Sequence, residues 1–230
     1  MKLSKMLYRW PFSFILKSPY TCNIKITQRC NLRCSFCNLW QKSNLPELYL
    51  ENYRTIADIL LDAGLARIVI TGGEPFLRED LPEIIALFAR RGFSTTLLTN
   101  GTLASFEKLQ KLHDLGLNDI GVSLDTLDSK KQAKICGFGG VWEKAVATIR
   151  NCVSLFNQGF VEVLITVSGD NIKEIPDLVD FVHYELGAWS VINPVNIPPF
   201  PGAHLSAPPG NNAPPLPAEI VDEVYDSLRQ

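Results

Sequence analysis

Three cysteines lie close together near the N-terminus, in the stretch TQRCNLRCSFCNLW at residues 27–40. Cys30, Cys34 and Cys37 have the spacing C-x3-C-x2-C. Clustered thiolates are typical ligands of zinc and of iron–sulfur clusters. A structural zinc site or a cubane cluster normally takes four protein ligands, so three cysteines leave one coordination position open. The spacing alone allows two interpretations: a zinc site completed by Cys22 or a distant His, or a cluster with one open iron.

The other cysteines and the net charge indicate the cellular compartment and the kind of partner to expect. Cys22, Cys136 and Cys152 are scattered, and six cysteines in 230 residues do not make a disulfide scaffold. This usage indicates a reducing compartment, so we expect a cytoplasmic protein. The formal net charge is −2, and no block of Lys or Arg is dense enough to follow a phosphate backbone. We therefore expect no nucleic-acid partner.

Residues 1–20, MKLSKMLYRWPFSFILKSPY, form a leader segment in this interpretation. Pro11 and Lys17 interrupt its apolar run and no small-residue cleavage site follows, which argues against a signal peptide. Its basic residues among apolar ones leave attachment to a membrane surface open, whereas a packed segment is the plainer interpretation. No stretch of the sequence is long and apolar enough to span a bilayer.

The elements that position the cysteines follow a repeated pattern of helical segment, Gly and short strand. The pattern occurs at residues 62–70, 90–98, 114–122, 157–165 and 185–192. Each Gly stands where a helix end favours a left-handed backbone. Together with the opening run CNIKI, the pattern predicts six strands alternating with helices, and hence a parallel sheet covered by helices. An open doubly wound sheet and a partial barrel both fit this periodicity.

Polar or glycine-containing segments follow all six predicted strands. They are the cysteine loop, TGGEP (71–75), TNGT (99–102), SLDT (123–126), SGDN (168–171) and NPVN (193–196). In parallel α/β folds, chemistry gathers at the C-terminal ends of the strands. Six such ends on one rim favour a single large site. We therefore predict an α/β fold, a partial (β/α)6 barrel of parallel strands with outer helices, over residues 21–196.

The composition changes after the sixth strand. Nine prolines fall between residues 193 and 217, and they exclude a helix or a central strand there. Residues 197–216 are predicted to form a Pro-rich loop near the mouth of the barrel. The stretch LPAEIVDEVYDSLR then predicts a C-terminal helix over residues 217–230, with Pro217 near its N-terminus.

The order of these motifs resembles the radical S-adenosylmethionine (radical SAM) superfamily. The three-cysteine spacing, with the aromatic Phe36 before the third cysteine, resembles its signature, and GGEP resembles its methionine-binding motif. LLTNGT and GVSLDT also resemble its third and fourth strand ends. The resemblance covers about residues 22–195. It is nearest to the branch with peptide-modifying enzymes and molybdopterin-type cyclases.

The resemblance implies a 4Fe–4S cluster held by Cys30, Cys34 and Cys37, with SAM on the fourth iron. Phe36 and Asp125 belong to the implied SAM contacts, although Phe36 could be a core aromatic and Asp125 a helix cap. Glu74 has the clearest role, because a carboxylate suits an ammonium and no structural task is evident for it. The full set of implied SAM contacts is Phe36, Gly72, Gly73, Glu74, Pro75, Asn100, Ser123, Asp125, Pro194 and Val195.

The implied reaction is reductive cleavage of SAM to a 5′-deoxyadenosyl radical that abstracts a hydrogen from a substrate. A peptide is the expected substrate, and a small metabolite or lipid precursor is the alternative. An electron donor such as flavodoxin or ferredoxin is implied as a partner. A cluster- or SAM-binding protein without turnover is the alternative from another class. No Cys follows residue 152, so we expect either a minimal core or a truncated enzyme without an auxiliary cluster.

One position departs from the family pattern. After the fourth strand the family commonly has an Arg that pairs with the SAM carboxylate, and Cys136 stands at that position here. A thiol cannot replace a bidentate guanidinium. Lys130, Lys131 or Lys134 could supply the charge instead, or SAM could bind less tightly. Two other interpretations make Cys136 a small residue tolerated on a loop, or a hydrogen donor at the mouth of the barrel.

Overall fold

The computed structural model describes residues 20–42, 45–156 and 160–194. Its strands are β1 Thr21–Thr27, β2 Arg67–Gly72, β3 Ser94–Thr99, β4 Asp119–Ser123, β5 Val161–Val167 and β6 Trp189–Pro194. Its α-helices are α1 Leu50–Asp62, α2 Leu81–Arg90, α3 Phe106–Asp114, α4 Ser129–Cys136, α5 Val141–Leu155 and α6 Ile175–Asp180. Short 3-10 turns cover Leu39–Lys42, Pro75–Leu77 and Ile172–Glu174, and a π-helical turn covers Phe181–Glu185.

All six strands form one parallel sheet in the sequential order β1-β2-β3-β4-β5-β6. The sheet is open, because β1 and β6 lie at its two edges. Right-handed crossovers through helices are the expected route between neighbouring parallel strands. The predicted α/β partial barrel of six strands is therefore confirmed, and the strand C-terminal ends share one rim.

The core lies between the sheet and the helices. Ile68 and Ile70 on β2 are fully buried, and Ile84, Ile85 and Phe88 on α2 are also fully buried. On the central strands β3 and β4, three consecutive residues are buried, so both faces of these strands are covered, as expected for a parallel sheet packed between layers. Burial of large apolar side chains is the main stabilising term for this scaffold, so the rim residues stand on a rigid support.

The predicted glycine positions at helix ends are confirmed where the structure describes them. Gly64 follows α1 with φ 82°, and Gly116 follows α3 with φ 106°. These are left-handed conformations that a residue with a Cβ adopts only with strain. The glycines thus turn the chain from each helix into the next strand.

Several predictions lie outside the described residues. They concern the leader up to residue 19, the Pro-rich loop at 197–216, the C-terminal helix at 217–230, and the SAM contact assigned to Val195. Among the residues that are described, no helix combines the length and the apolar character needed to cross a membrane.

Candidate functional site

The cysteine loop follows β1 and lies against the end of β2. The backbone N–H of Gly73 donates to the carbonyl of Thr27 at 2.9 Å, and that of Glu74 donates to the carbonyl of Arg29 at 2.8 Å. A Cβ on Gly72 would lie 2.4 Å from the Thr27 oxygen, and one on Gly73 would lie 2.2 Å from the Arg29 oxygen. The two glycines therefore allow the segment just before Cys30 to pack directly on β2.

A second anchor joins the cysteine loop to the C-terminal end of α4. The backbone N–H of Arg33 donates to the carbonyl of Cys136 at 2.9 Å. The backbone N–H of Ser35 donates to the carbonyl of Ile135, also at 2.9 Å. These bonds flank Cys34 on both sides, so the backbone of Cys34 is fixed beside the last residues of α4.

A third anchor joins the loop to the end of β3. The side-chain amide of Asn31 donates to the hydroxyl of Thr102 at 2.7 Å, and the amide of Asn100 donates to Asn31 Oδ1 at 3.0 Å. The Asn100 amide nitrogen also lies 4.0 Å from Cys30 Sγ. Cys30 is thus held by contacts from two neighbouring strand ends.

The three clustered cysteines line one cavity of about 140 Å³ at the rim of the sheet. The lining residues are Cys30, Leu32, Cys34, Phe36, Cys37, Gly73, Asn100, Ser123, Asp125, Gln132, Cys136, Val141 and Thr166. Within residues 20–42, 45–156 and 160–194, no three His, Cys, Asp or Glu side chains converge closely enough to hold one metal ion. The sulfurs stand around a space instead, which suits a multi-atom cluster better than a single zinc ion.

The structure brings together most of the predicted site residues. The cavity-lining members of that set are Cys30, Cys34, Phe36, Cys37, Gly73, Asn100, Ser123 and Asp125. Gly72, Glu74 and Pro75 do not line the cavity and lie behind it, at the junction between β2 and its neighbours. Pro194 is exposed at the end of β6. Phe36 packs against buried Leu32 and Val141 while facing the cavity, so both of its predicted roles are compatible with its place.

Glu74 has a structural task that the sequence did not indicate, and that part of the prediction is wrong. Its side chain is fully buried, and Oε1 accepts hydrogen bonds from the Thr99 hydroxyl at 2.8 Å and the Phe76 N–H at 3.0 Å. Oε2 accepts from the Asn100 N–H at 2.8 Å. Burial raises the pKa of Glu74 and these hydrogen bonds oppose that change. The carboxylate therefore ties the end of β2 to the end of β3.

Asp125 is the ionisable carboxyl group of the cavity wall. Its Oδ1 accepts from the Thr166 N–H at 2.8 Å, and its Oδ2 accepts from Gln132 Nε2 at 3.2 Å. Asn171 donates to the Asp125 carbonyl at 2.6 Å. Burial raises the pKa of Asp125 to about 6. The side chain joins the ends of β4 and β5 and the start of α4, and Asp125 is not the cap of that helix, since Asp128 caps it.

Cys136 is the last residue of α4 and is buried, so the interpretation of a tolerated loop residue is wrong. None of the cavity-lining residues in the described ranges is a Lys or Arg. Lys131 pairs with Glu174 away from the cavity, and Lys130 and Lys134 are exposed. Among the described residues, the wall of the cavity therefore presents no cationic side chain to a carboxylate.

Gln132 and Thr166 are cavity residues that the sequence interpretation missed. Gln132 is fully buried, and its position four residues before Cys136 places both on one face of α4. That spacing, next to the unusual cysteine, was the available signal. Thr166 comes two residues before the polar segment predicted after β5, and it had no distinguishing signal.

Two of the three clustered thiols, Cys30 and Cys34, have raised pKa values. Burial raises the pKa of Cys30. A hydrogen bond with Cys136, together with burial, raises the pKa of Cys34. All six cysteines are free. Because metal binds the thiolate, loading of the site must release protons.

A larger groove lies elsewhere, among the outer helices. It has a volume of about 420 Å³ and is lined by residues such as Arg54, Arg90 and Lys111. It contains none of the predicted site residues. Of these two cavities, the smaller one at the rim is the one that the three clustered cysteines and Asp125 line.

The sequence matches the family model described as the radical SAM superfamily over residues 24–182. A probable GTP 3′,8-cyclase of Archaeoglobus fulgidus is 34% identical over 182 residues, which cover 78% of this chain and 60% of that protein. The subtilosin biosynthesis protein AlbA of Bacillus subtilis is 33% identical over 173 residues, which cover 74% of this chain and 38% of AlbA. One of these relatives is a cyclase and the other is a biosynthesis protein for a bacteriocin, which agrees with the branch that the motifs resemble.

The fold matches solved structures of the same kind. Streptococcus suis SuiB bound to its precursor peptide SuiA superposes with a TM-score of 0.69 at 21% identity, covering 84% of this chain and 43% of SuiB. This likeness shows the shared partial-barrel fold.

The chain spans about half the length of the curated relatives that it matches. The matched region contains the cysteine loop, the GGEP segment and the ends of β3, β4 and β5. Radical SAM proteins use a 4Fe–4S cluster and SAM. With the family match over most of its length, this chain belongs to the radical SAM superfamily.

Proposed function

We propose that the chain is the catalytic core of a radical SAM enzyme that acts on a peptide. The observation that carries the proposal is the set of three cysteine side chains around one cavity at the rim of a partial barrel. When bound, a 4Fe–4S cluster with SAM supplies a 5′-deoxyadenosyl radical for hydrogen abstraction. The protein supplies binding, orientation and exclusion of water.

Cys30, Cys34 and Cys37 are the proposed cluster ligands. Thiolates are the ligands that iron–sulfur clusters take, and three of them leave one iron for an external ligand. The two backbone anchors and the one side-chain anchor of the loop hold its backbone in place before the cluster is loaded. Preorganised ligands lose less conformational entropy on binding.

The remaining proposed cofactor contacts divide into two groups. Asn100, Ser123 and Asp125 line the cavity and present polar groups to SAM. Phe36 contributes an apolar side chain to the cavity wall, and Gly73 lines the wall without a side chain. Gly72, Glu74 and Pro75 support this wall from behind, by fixing the approach of β2 to the cysteine loop. The proposed contact of Val195 with adenine is supported only by the resemblance of the sequence to the family.

Two relatives support a peptide substrate. AlbA is a biosynthesis protein for the bacteriocin subtilosin, and SuiB was solved bound to a precursor peptide. The GTP cyclase relatives, at 34 to 36% identity, favour a small molecule as the second candidate. An electron donor such as flavodoxin or ferredoxin is the proposed partner. The six free cysteines fit a cytoplasmic location.

A labelling experiment distinguishes the two substrate classes. A synthetic copy of a short peptide encoded beside the gene, made with fully deuterated residues, is incubated with the reconstituted protein, SAM and dithionite. Deuterium in the 5′-deoxyadenosine is expected if the peptide loses the hydrogen. Transfer from deuterated GTP, with none from the peptide, would contradict the peptide proposal.

The ligand assignment has a separate test that needs no substrate. Replacement of Cys30, Cys34 and Cys37 by Ala should abolish iron and sulfide binding after anaerobic reconstitution. Cys22→Ala is the matched control, because Cys22 lies on β1 outside the cavity. Full iron binding by the triple variant would contradict the assignment.

A further inference from the structure

Cys37 is the proposed ligand with the fewest anchors to the rest of the fold. Cys30 lies beside Asn100 at the end of β3, and the residues on either side of Cys34 bond the end of α4. Between described residues, the hydrogen bonds of the Cys37 backbone stay within the cysteine loop. Its N–H donates to the Cys34 carbonyl at 3.1 Å, and its carbonyl accepts from Trp40 Nε1 at 2.9 Å. The position of Cys37 therefore depends on what holds the Trp40 indole in place.

The side chain of Arg33 lies over the Trp40 ring. The guanidinium carbon of Arg33 is 5.0 Å from the ring centroid, a distance at which the face of an indole attracts a cation. The same guanidinium uses Nη1, which carries two hydrogens, to donate to the carbonyls of Cys30 and Leu32, each at 2.8 Å. One Arg side chain thus contacts the backbone of the first ligand and the ring that holds the backbone of the third.

The backbone of Arg33 is itself fixed on the scaffold. Its N–H donates to the Cys136 carbonyl at 2.9 Å. Gly137 follows α4 with φ 69° and packs closely on Arg33, because an added Cβ would lie 3.1 Å from both the Arg33 Cβ and the Arg33 carbonyl oxygen. The C-terminal end of α4 therefore determines the place from which the Arg33 side chain reaches Trp40.

We propose that Arg33 and Trp40 form a clamp that positions Cys37 relative to Cys30, and that this clamp determines how tightly the chain retains the cluster. The inference rests on the proposed function, because it requires a cluster at the three cysteines. Groups outside the ligand set orient the ligands, and preorganised ligands lose less conformational entropy on binding. Arg33 and Trp40 do not line the cavity, so they are positioning residues that act through the backbone of the ligands.

The test is the rate at which the reconstituted full chain, without SAM, releases iron to an excess of an Fe(II) chelator under anaerobic, reducing conditions. Trp40→Phe keeps a ring under the guanidinium and removes the N–H that donates to Cys37. Arg33→Ala and Trp40→Ala remove one partner each, and a double variant removes both. Arg54→Ala and Trp189→Ala are the matched controls, since both residues are exposed and lie outside the cavity. Urea unfolding of each metal-free variant is measured alongside.

Trp40→Phe should release iron about fivefold faster than wild type, the effect of losing one ordinary hydrogen bond. Arg33→Ala and Trp40→Ala should each release iron about tenfold faster, because stacking and hydrogen bonds are lost together. The fold-change of the double variant should fall below the product of the single fold-changes, since the two side chains act through one series of contacts. A folded variant that retains no iron would support the clamp in the same way.

Three results would overturn the clamp. The first is release at the wild-type rate by both Trp40→Phe and Arg33→Ala. The second is a double variant whose fold-change equals the product of the single ones, because the two residues would then act independently. The third is faster release confined to variants whose metal-free chain has a lowered urea midpoint, because such a result would mean a general loss of stability.

These outcomes are separable from failure of the proposed function. Wild-type release rates in variants that still form 5′-deoxyadenosine from SAM would overturn the clamp alone. The expected faster release in a protein that never forms 5′-deoxyadenosine would overturn the proposed function and leave the clamp standing. A wild-type chain that binds no cluster at all would contradict the proposed function itself.

Discussion

The carboxylate of Glu74 accepts a hydrogen bond from the backbone N–H of Asn100 at 2.8 Å, and this bond joins the ends of β2 and β3. Asn100 in turn contacts Asn31, the residue after the first proposed ligand cysteine. One buried acid thus supports the strand end that holds the cysteine loop. The structural role of this acid can be measured through the free energy of unfolding, separately from any contact that it makes with SAM.

Glu74→Gln should lower the free energy of unfolding of the metal-free chain by about 1–3 kcal/mol. The amide offers one oxygen, so either the Asn100 N–H or the two donors at Oε1 lose their acceptor in a buried place. Urea denaturation followed by circular dichroism measures the change. Glu79→Gln is the matched control, since Glu79 is exposed five residues further on. Equal stability of the Glu74 variant and wild type would mean that the carboxylate has no structural role.

Gly73→Ala should disrupt the cysteine loop more than a methyl group added at any other glycine near the site. The added Cβ would lie 2.2 Å from the carbonyl oxygen of Arg29, and that backbone atom cannot move without displacing Cys30. We expect a loss of more than about 2 kcal/mol of stability and a reduced iron content after reconstitution. Gly139→Ala is the control, because nothing lies within 4 Å of its Cβ position. Normal iron binding by Gly73→Ala would contradict the close packing of β1 and β2.

Asp125 should make stability depend on pH in a defined window. Burial raises its pKa from 3.8 to about 6. The folded state therefore binds the proton more tightly than the unfolded state, so stability falls as pH rises through this window, by on the order of 3 kcal/mol. Urea unfolding of the metal-free chain at a series of pH values measures the slope.

Asp125→Asn should flatten that slope relative to wild type, because the amide does not titrate. The variant should also lose some stability at every pH, since its amide nitrogen must face another donor, either Gln132 Nε2 or the Thr166 N–H. Asp62→Asn, at an exposed position on α1, is the control. A slope that is the same in Asp125→Asn and wild type would rule out Asp125 as its source.

The fold was largely predictable from the sequence, for physical reasons that are local. Helix ends such as Gly64 need a left-handed residue, and a central strand such as β4 has no charged side chain between its ends because both of its faces are covered. Each signal lies within one short segment. The sequential order of the strands is the common arrangement for consecutive parallel strands joined by helices.

The site was predictable only in part. The cysteine spacing marked Cys30, and the resemblance of the strand-end motifs to the radical SAM family marked Asn100 and Asp125. The hydrogen-bond partners of Glu74 could not be predicted from the sequence, since Thr99 is 25 residues away and contacts Glu74 only because β2 pairs with β3. The backbones of Ile135 and Cys136 bond the residues on either side of Cys34 across about a hundred residues of sequence, so this contact depends on how α4 packs against the cysteine loop.

The central claim is that this chain uses three cysteines and SAM to generate a radical. The most direct test is anaerobic reconstitution with iron and sulfide, followed by incubation with SAM and dithionite and quantification of 5′-deoxyadenosine. The account predicts 5′-deoxyadenosine from the wild-type chain and none from the variant in which Cys30, Cys34 and Cys37 are all replaced by Ala. A wild-type chain with a full 4Fe–4S complement that yields no 5′-deoxyadenosine would contradict it.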